Sequence, residues 1–156
     1  MDTAPDKAGG GAAAPPLPIS ELAAHLRILV MRLQRRLRAE AGDELSPTRV
    51  AALVSIERHG PLTLGRLAEL ERVTPPSITR VVAALERDGL VCREADASDR
   101  RVSHVAITAE GARLLRRSRT RKAAYLARRL EHLDEHDLAA VREALPVLER
   151  LLGDDR

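Results

Sequence analysis

Residues 73–90 read VTPPSITRVVAALERDGL, and the order of small, branched and charged side chains in this stretch decides the fold. Thr74 stands where a helix N-cap is expected, and Pro75 occupies the first helical position, where a missing N–H costs nothing; Gly89 supplies the stop. At about 100° per residue, Ile78, Val81, Val82 and Leu85 gather on one side as a core face. Pro76, Thr79, Arg80, Ala83 and Arg87 lie opposite. No bulky apolar group projects from that side, Ala83 and Ala84 permit close approach, and Ser77, Thr79 and Arg80 can reach base edges. A DNA major groove admits such a helix and is read by its first turns. Thr74, Ser77 and the free N–H groups at the helix start suit a phosphate. Arg80 is the side chain for a bidentate guanine contact. Taken alone, the same face also describes a solvated helix whose Arg80 pairs with a surface carboxylate; the flanking segments favour the DNA reading.

Upstream, Ser46-Pro47 has the cap-then-proline order of a helix N-terminus and opens a segment running through Val50, Leu53, Val54 and Ile56 to His59-Gly60. Pro61 enforces the break. Thr63 caps a short helix from Leu64 to about Leu70, so three short helices surround a turn. Downstream the period changes. Two short β-type runs, 91–95 and 102–107, flank the polar residues 96–101, forming a hairpin with a basic tip at Asp99-Arg100-Arg101. An Arg at such a tip suits the negative potential of a narrow minor groove, with the neighbouring carboxylate orienting it; the alternative is a plain polar turn.

The remaining helices are long. Leu22, Leu26, Leu29, Leu33 and Leu37 recur at intervals of three and four from Ile19 to Glu40, with Ser20 as expected N-cap and Gly42-Asp43 as the end. A second long helix restarts at Thr108-Ala109 and carries Leu114, Leu115, Leu126 and Leu130 to Leu133. Asp134 caps a final one bearing Leu138, Val141, Leu145, Leu148, Leu151 and Leu152. One chain has little to cover three such stripes, which predicts a homodimer. The expected architecture is therefore mainly α with a small β-wing: a disordered tail at 1–18, a winged helix-turn-helix at 46–107, and a helical dimerisation region at 19–45 and 108–156.

Composition narrows the function. With 156 residues and 44% hydrophobic side chains, the chain suits one compact domain or two small ones. Its net charge is +3, its isoelectric point near 9.7, and nearly all its basic residues are Arg. Guanidinium favours phosphate or carboxylate partners, although a GC-rich genome also produces Arg for Lys. With a single cysteine, Cys92, no intramolecular disulfide can form, which fits the cytoplasm. Residues 1–18 are rich in Gly, Ala and Pro without a signal-peptide pattern, and no apolar run reaches membrane-span length. Phe and Trp are absent and Tyr125 is the lone aromatic, which disfavours base-stacking on single strands but not duplex binding. No phosphate loop, nucleophile elbow or zinc-protease motif is present, so neither an enzyme nor a cofactor is expected.

Three further features are weighed against plainer readings. The basic run from Arg113 to Lys122 suits flanking phosphates, pairing with Asp134, Glu135 and Asp137, or simply a solvated face. His132 and His136 stand four apart, but the Asp134 cap interrupts the helix between them, so no metal site is expected. Cys92, beside Arg93, reads as a small buried filler rather than a sensor.

The runs 62–68 (LTLGRLA), 73–80 (VTPPSITR), 85–91 (LERDGLV), 96–101 (DASDRR) and 107–111 (ITAEG) together resemble the MarR family of bacterial transcription regulators, over about residues 19 to 152. The resemblance implies a cytoplasmic homodimer with one winged helix-turn-helix per subunit, binding double-stranded DNA at a pseudopalindromic operator, usually as a repressor. On that pattern Ser77, Thr79 and Arg80, with Thr74 and Pro76 beside them, match the major-groove residues, and Asp99, Arg100 and Arg101 the wing. It also implies release by a small lipophilic or phenolic effector bound between the DNA-binding and dimerisation regions. The chain departs from the family's ligand-stacking pattern in offering only Tyr125 as an aromatic wall. It also departs from the redox-sensing branch, having no cysteine in the first long helix. Two other classes remain open at this level: a winged-helix protein-interaction module, and a non-specific architectural DNA binder.

Overall fold

A computed structural model describes residues 17–42, 45–95 and 102–153. In chain order the elements are α1 (Ile19–Ala41), α2 (Pro47–His59), β1 (Leu62–Thr63), α3 (Leu64–Leu70), α4 (Pro75–Arg87), β2 (Val91–Ala95), β3 (Ser103–Ile107), α5 (Ala109–Leu130) and α6 (Glu135–Leu152). The fold is mainly helical with a small antiparallel sheet, as the periodicities predict. Among the described residues no helix is long and apolar enough to cross a membrane.

The caps account for most boundaries. Ser46, Thr63, Thr108 and Asp134 each accept a hydrogen bond from the backbone N–H three residues on, satisfying a donor that the first helical turn leaves unpaired. Two expected boundaries are corrected. Leu22 donates its N–H to the carbonyl of Pro18 at 3.0 Å, so α1 starts at Ile19 and Ser20 lies inside its first turn rather than at the cap. Helix α5 stops at Leu130 instead of Leu133, because residues 131–132 turn toward the Asp134 cap. Asp43, expected to help end α1, lies outside the described residues.

The sheet has the order β1-β3-β2, with Leu62 opposite Val105 and Cys92 opposite Ala106. Strand β1 was not expected: two residues are too few to show a period-2 pattern. It forms because β3 offers a second edge to pair, and Thr63 serves both as strand residue and as cap of α3.

Contacts divide the chain into a unit up to Arg35 and a unit from Arg36 onward. The first is a helical stretch with Ile19, Leu22, Leu29 and Leu33 exposed. In the second, Ile78, Val82 and Leu85 of α4 are fully buried in one cluster with Leu53 and Ile56 of α2, Leu67 of α3, and Val91 and Val105 of the sheet. Truncating any of these Leu or Ile side chains to alanine removes about 2–5 kcal/mol. The same burial sets the rotation of α4 about its axis and so selects its outward face.

A tight joint connects the end of α4 to the start of α5. Thr108 Oγ1 donates to the carbonyl of Gly89 at 2.7 Å and accepts from the N–H of Gly111 at 3.1 Å, while the Thr108 N–H donates to the carbonyl of Leu90 at 3.1 Å. Gly111 lies so close that a Cβ there would sit 2.2 Å from the Leu90 carbonyl oxygen. The need for glycine comes from this packing, and the sequence shows it only as a glycine inside a helix, where it costs conformational entropy.

Candidate nucleic-acid interface

The outer face of α4 is organised by its two prolines. Thr74 has N-cap geometry (φ −72°, ψ 147°) but its side chain makes no capping hydrogen bond. The reason is local: Pro75 and Pro76 have no N–H, and the next donor, that of Ser77, is taken by the carbonyl of Thr74 at 2.9 Å. The expected side-chain cap is therefore absent, and the exposed Thr74 hydroxyl is left for another partner. Thr79 differs, since its Oγ1 donates to the carbonyl of Pro75 at 2.8 Å and keeps only acceptor capacity outward.

Arg80 is exposed and makes no hydrogen bond or ion pair among the described residues, so no described carboxylate takes up the paired alternative. Thr74, Pro76, Thr79, Arg80 and Ala83 are all exposed along this face, whereas Ser77 is half-buried. Ala84 was expected outward with Ala83. It is half-buried instead, and its carbonyl accepts from Arg49 Nη2 at 3.4 Å, so it faces α2.

Polar ties hold the helix in place. Arg49 of α2 pairs with Asp88 at the C-terminal end of α4, and Arg93 of β2 reaches Glu86 at 3.1 Å. Ser55 of α2 donates to Glu71, at the end of α3, at 2.5 Å. Such half-exposed pairs add about 0–1 kcal/mol each and chiefly fix orientation. The wing residues Asp99, Arg100 and Arg101 lie outside the described residues; what is described is the base of the wing, β2 and β3.

The basic stretch of α5 is largely exposed, in line with a solvated face, and makes these pairs. Arg113 and Arg117 both hold Glu110, at 2.5 and 3.0 Å, Arg119 pairs with Glu57 of α2, and Arg121 donates to the carbonyl of Ala41 at 2.9 Å. The hydrogen bond from Arg113, then that from Arg117, keeps the Glu110 carboxyl below its ordinary range. Between α5, the end of α1 and the start of α2 lies a cavity of about 200 Å³, lined by Ala41, Leu45, Val50, Leu114 and Leu115 and by the polar Arg117, Ser118 and Arg121.

Cys92 is half-buried, its Sγ 3.9 Å from Glu94 Oε1, not the core filler expected, because the far end of β2 emerges into solvent. His132 sits in the turn before α6 and His136 inside α6, and no group of three or more His, Cys, Asp or Glu able to hold a metal occurs among the described residues.

Tyr125 is buried on α5, where Arg129 Nε donates to its hydroxyl at 3.3 Å. The Arg129 hydrogen bond, aided by Arg36, lowers the phenol pKa below its ordinary value against the opposing effect of burial. A depressed pKa means that the phenolate is better held folded than unfolded. Stability from this contact is thus present above the unfolded-state pKa and is lost as pH falls through the folded one. As this is the only Tyr in a chain without Trp, ultraviolet titration reads it directly. The midpoint should fall below about 10 and rise in Arg129→Ala; a native midpoint equal to that in urea would refute the contact.

Helices α3 and α4 with the β2–β3 hairpin define a winged helix-turn-helix, a DNA-binding class. Comparison with known proteins agrees. The MarR family profile matches residues 45–103. An uncharacterised HTH-type transcriptional regulator of Mycobacterium bovis is 35% identical over 136 residues, spanning 86% of this chain and 95% of its own length. The HTH-type transcriptional repressor MdtR of Bacillus subtilis is 27% identical over 77% of this chain and 78% of its own. Among solved structures, that of a Pseudomonas aeruginosa PA01 protein assigned to transcriptional regulation superposes with a TM-score of 0.79 at 34% identity, covering 90% of this chain and all of the other. The chain belongs to the MarR family of winged helix-turn-helix transcription regulators, and it is a DNA-binding regulator rather than an enzyme.

Proposed function

We propose that the protein is a homodimeric, sequence-specific repressor that binds a pseudopalindromic operator in double-stranded DNA and is released by a small-molecule effector. The observation that carries the reading is the outer face of α4, where Arg80, unpaired among the described residues, stands beside small and hydroxylated residues with nothing bulky between them. Arg80 serves guanine, the Thr79 oxygen accepts from an exocyclic amine, and Thr74 with Ser77 holds a phosphate. In the wing, Arg100 or Arg101 enters the minor groove and the Asp99 carboxylate orients it.

Dimerisation is supported by α6, which buries no residue within the chain and exposes Leu145, Leu148, Leu151 and Leu152. A second copy is the natural cover for such a stripe, and two recognition helices about 34–36 Å apart would then meet successive major grooves. MdtR, a relative named as a repressor, supports the sign of regulation.

Effector control is supported by the cavity beside α5. Its volume of about 200 Å³ is below the roughly 300–1,000 Å³ of pockets for drug-sized ligands, and Arg121, which the Ala41 carbonyl holds without neutralising it, suits a small lipophilic or phenolic anion. The same helix begins at the Thr108–Gly111 joint, in hydrogen-bond contact with the residues that end α4. A ligand preferring a shifted α5 would therefore disfavour the DNA-competent spacing by its differential affinity for the two states.

The test is fluorescence anisotropy, at fixed salt, with the duplex upstream of the protein's own gene and a scrambled duplex. Preference for the upstream duplex by about a thousandfold, with a dimer by sedimentation, is expected. Equal affinity would make the protein an architectural binder or place the operator elsewhere; no binding at low salt would leave a protein-interaction module.

A further inference from the structure

Arg72, in the turn between α3 and α4, has φ +52° and is the only non-glycine residue with positive φ among those described. The turn explains why. The N–H of Glu71 donates to the carbonyl of Leu67 at 3.0 Å, that of Arg72 to Glu69 at 3.1 Å, and that of Val73 to Ala68 at 3.0 Å. This is the helix termination in which the residue after the cap must turn left-handed, a conformation that favours glycine. The chain builds the same termination at the end of α4, with Gly89 donating to Glu86 and Leu90 to Leu85, both at 2.9 Å, and there the left-handed residue is Gly89 at φ +70°. An identical backbone device thus carries glycine at one end of the unit and a strained arginine at the other.

No hydrogen bond or ion pair among the described residues accounts for that arginine. Its side chain is exposed and makes no hydrogen bond or ion pair among the described residues. The carboxylates nearest in sequence already have partners, Glu69 with Arg66 at 2.9 Å and Glu71 with Ser55 at 2.5 Å. Arg72 also stands two residues before Thr74, whose hydroxyl is uncommitted at the start of the recognition helix. We propose that Arg72 is a further DNA-contacting residue, whose guanidinium binds a backbone phosphate beside the point where α4 enters the groove, and that the left-handed strain is retained for this contact.

The proposal rests on DNA binding by the family and not on the identity of the operator, so a scrambled duplex is a sufficient probe. Four proteins would be compared, wild type, Arg72→Gly, Arg72→Gln and Arg72→Lys, by anisotropy with the scrambled and upstream duplexes across a salt series, with a thermal melt of each. Arg72→Gly should melt no lower than wild type, since glycine relieves the strain, yet bind both duplexes more weakly by the same factor. The slope of log affinity against log salt should fall by about 0.9 for each Arg72 engaged. Arg72→Gln, which keeps the strain and loses the charge, should show the same slope change, and Arg72→Lys should retain the wild-type slope. Unchanged affinity and slope in Arg72→Gly and Arg72→Gln would overturn the proposal. So would weakening confined to the upstream duplex, or a loss in Arg72→Gly that tracks a lowered melting temperature. Wild-type protein that binds both duplexes equally would count against the operator reading alone; wild-type protein that binds neither would remove both.

Discussion

Gly111→Ala is expected to destabilise the fold by about 1–3 kcal/mol, toward the upper end because the obstacle is backbone rather than a movable side chain. Intrinsic propensity argues the opposite sign, since alanine inside a helix is worth about 0.5–1 kcal/mol over glycine. Packing should win. The new Cβ would lie 2.2 Å from the Leu90 carbonyl oxygen and 2.9 Å from Ile107 Cγ1, and that carbonyl is already held by the Thr108 N–H. Either α5 withdraws from the end of α4 or the Leu90 peptide moves, and both disturb the joint behind the recognition helix. Gly65 in α3 is the control, because a Cβ there meets nothing within 4 Å. Gly65→Ala should leave stability unchanged or raise it by up to about 1 kcal/mol. Urea titrations of the three proteins decide the matter, and Gly111→Ala matching or exceeding wild type would sink the argument.

Arg80→Ala should leave the fold intact and remove much of the sequence preference. The side chain is exposed and unpaired among the described residues, so its loss should alter stability by no more than about 0.5 kcal/mol. A bidentate guanine contact is worth about 1–3 kcal/mol of discrimination, or roughly 5- to 150-fold for each half-site in which it is made. Affinity for the upstream duplex should fall by that factor, while affinity for a scrambled duplex falls far less. Arg80→Lys should recover charge but little preference, because an ammonium cannot make the two-pronged contact. If both duplexes weaken equally, Arg80 touches phosphate, and base reading belongs to other residues. The contrast with Arg72, whose loss should weaken both duplexes alike, separates positioning from reading on one surface.

The caps at Ser46, Thr63 and Asp134, the apolar periods of α2 and α4, and the change of period after Gly89 were legible in the sequence because each depends on residues within a few positions of one another. The outward face of α4, with Arg80 on it, followed from the buried one for the same reason. What local order could not reveal depended on distant partners. Strand β1 exists because β3 offers it an edge, and Ala84 turns inward because Arg49, thirty-five positions earlier, binds its carbonyl. The basic run of α5 finds Glu57 and the carbonyl of Ala41 rather than the acids that follow it in the chain. Local sequence determined which segments form helices and which face of α4 is left outside. Only the tertiary structure decided that Gly111 admits no side chain, because that depends on the close approach of the Leu90 carbonyl and Ile107 once the start of α5 is packed against the end of α4 and the sheet.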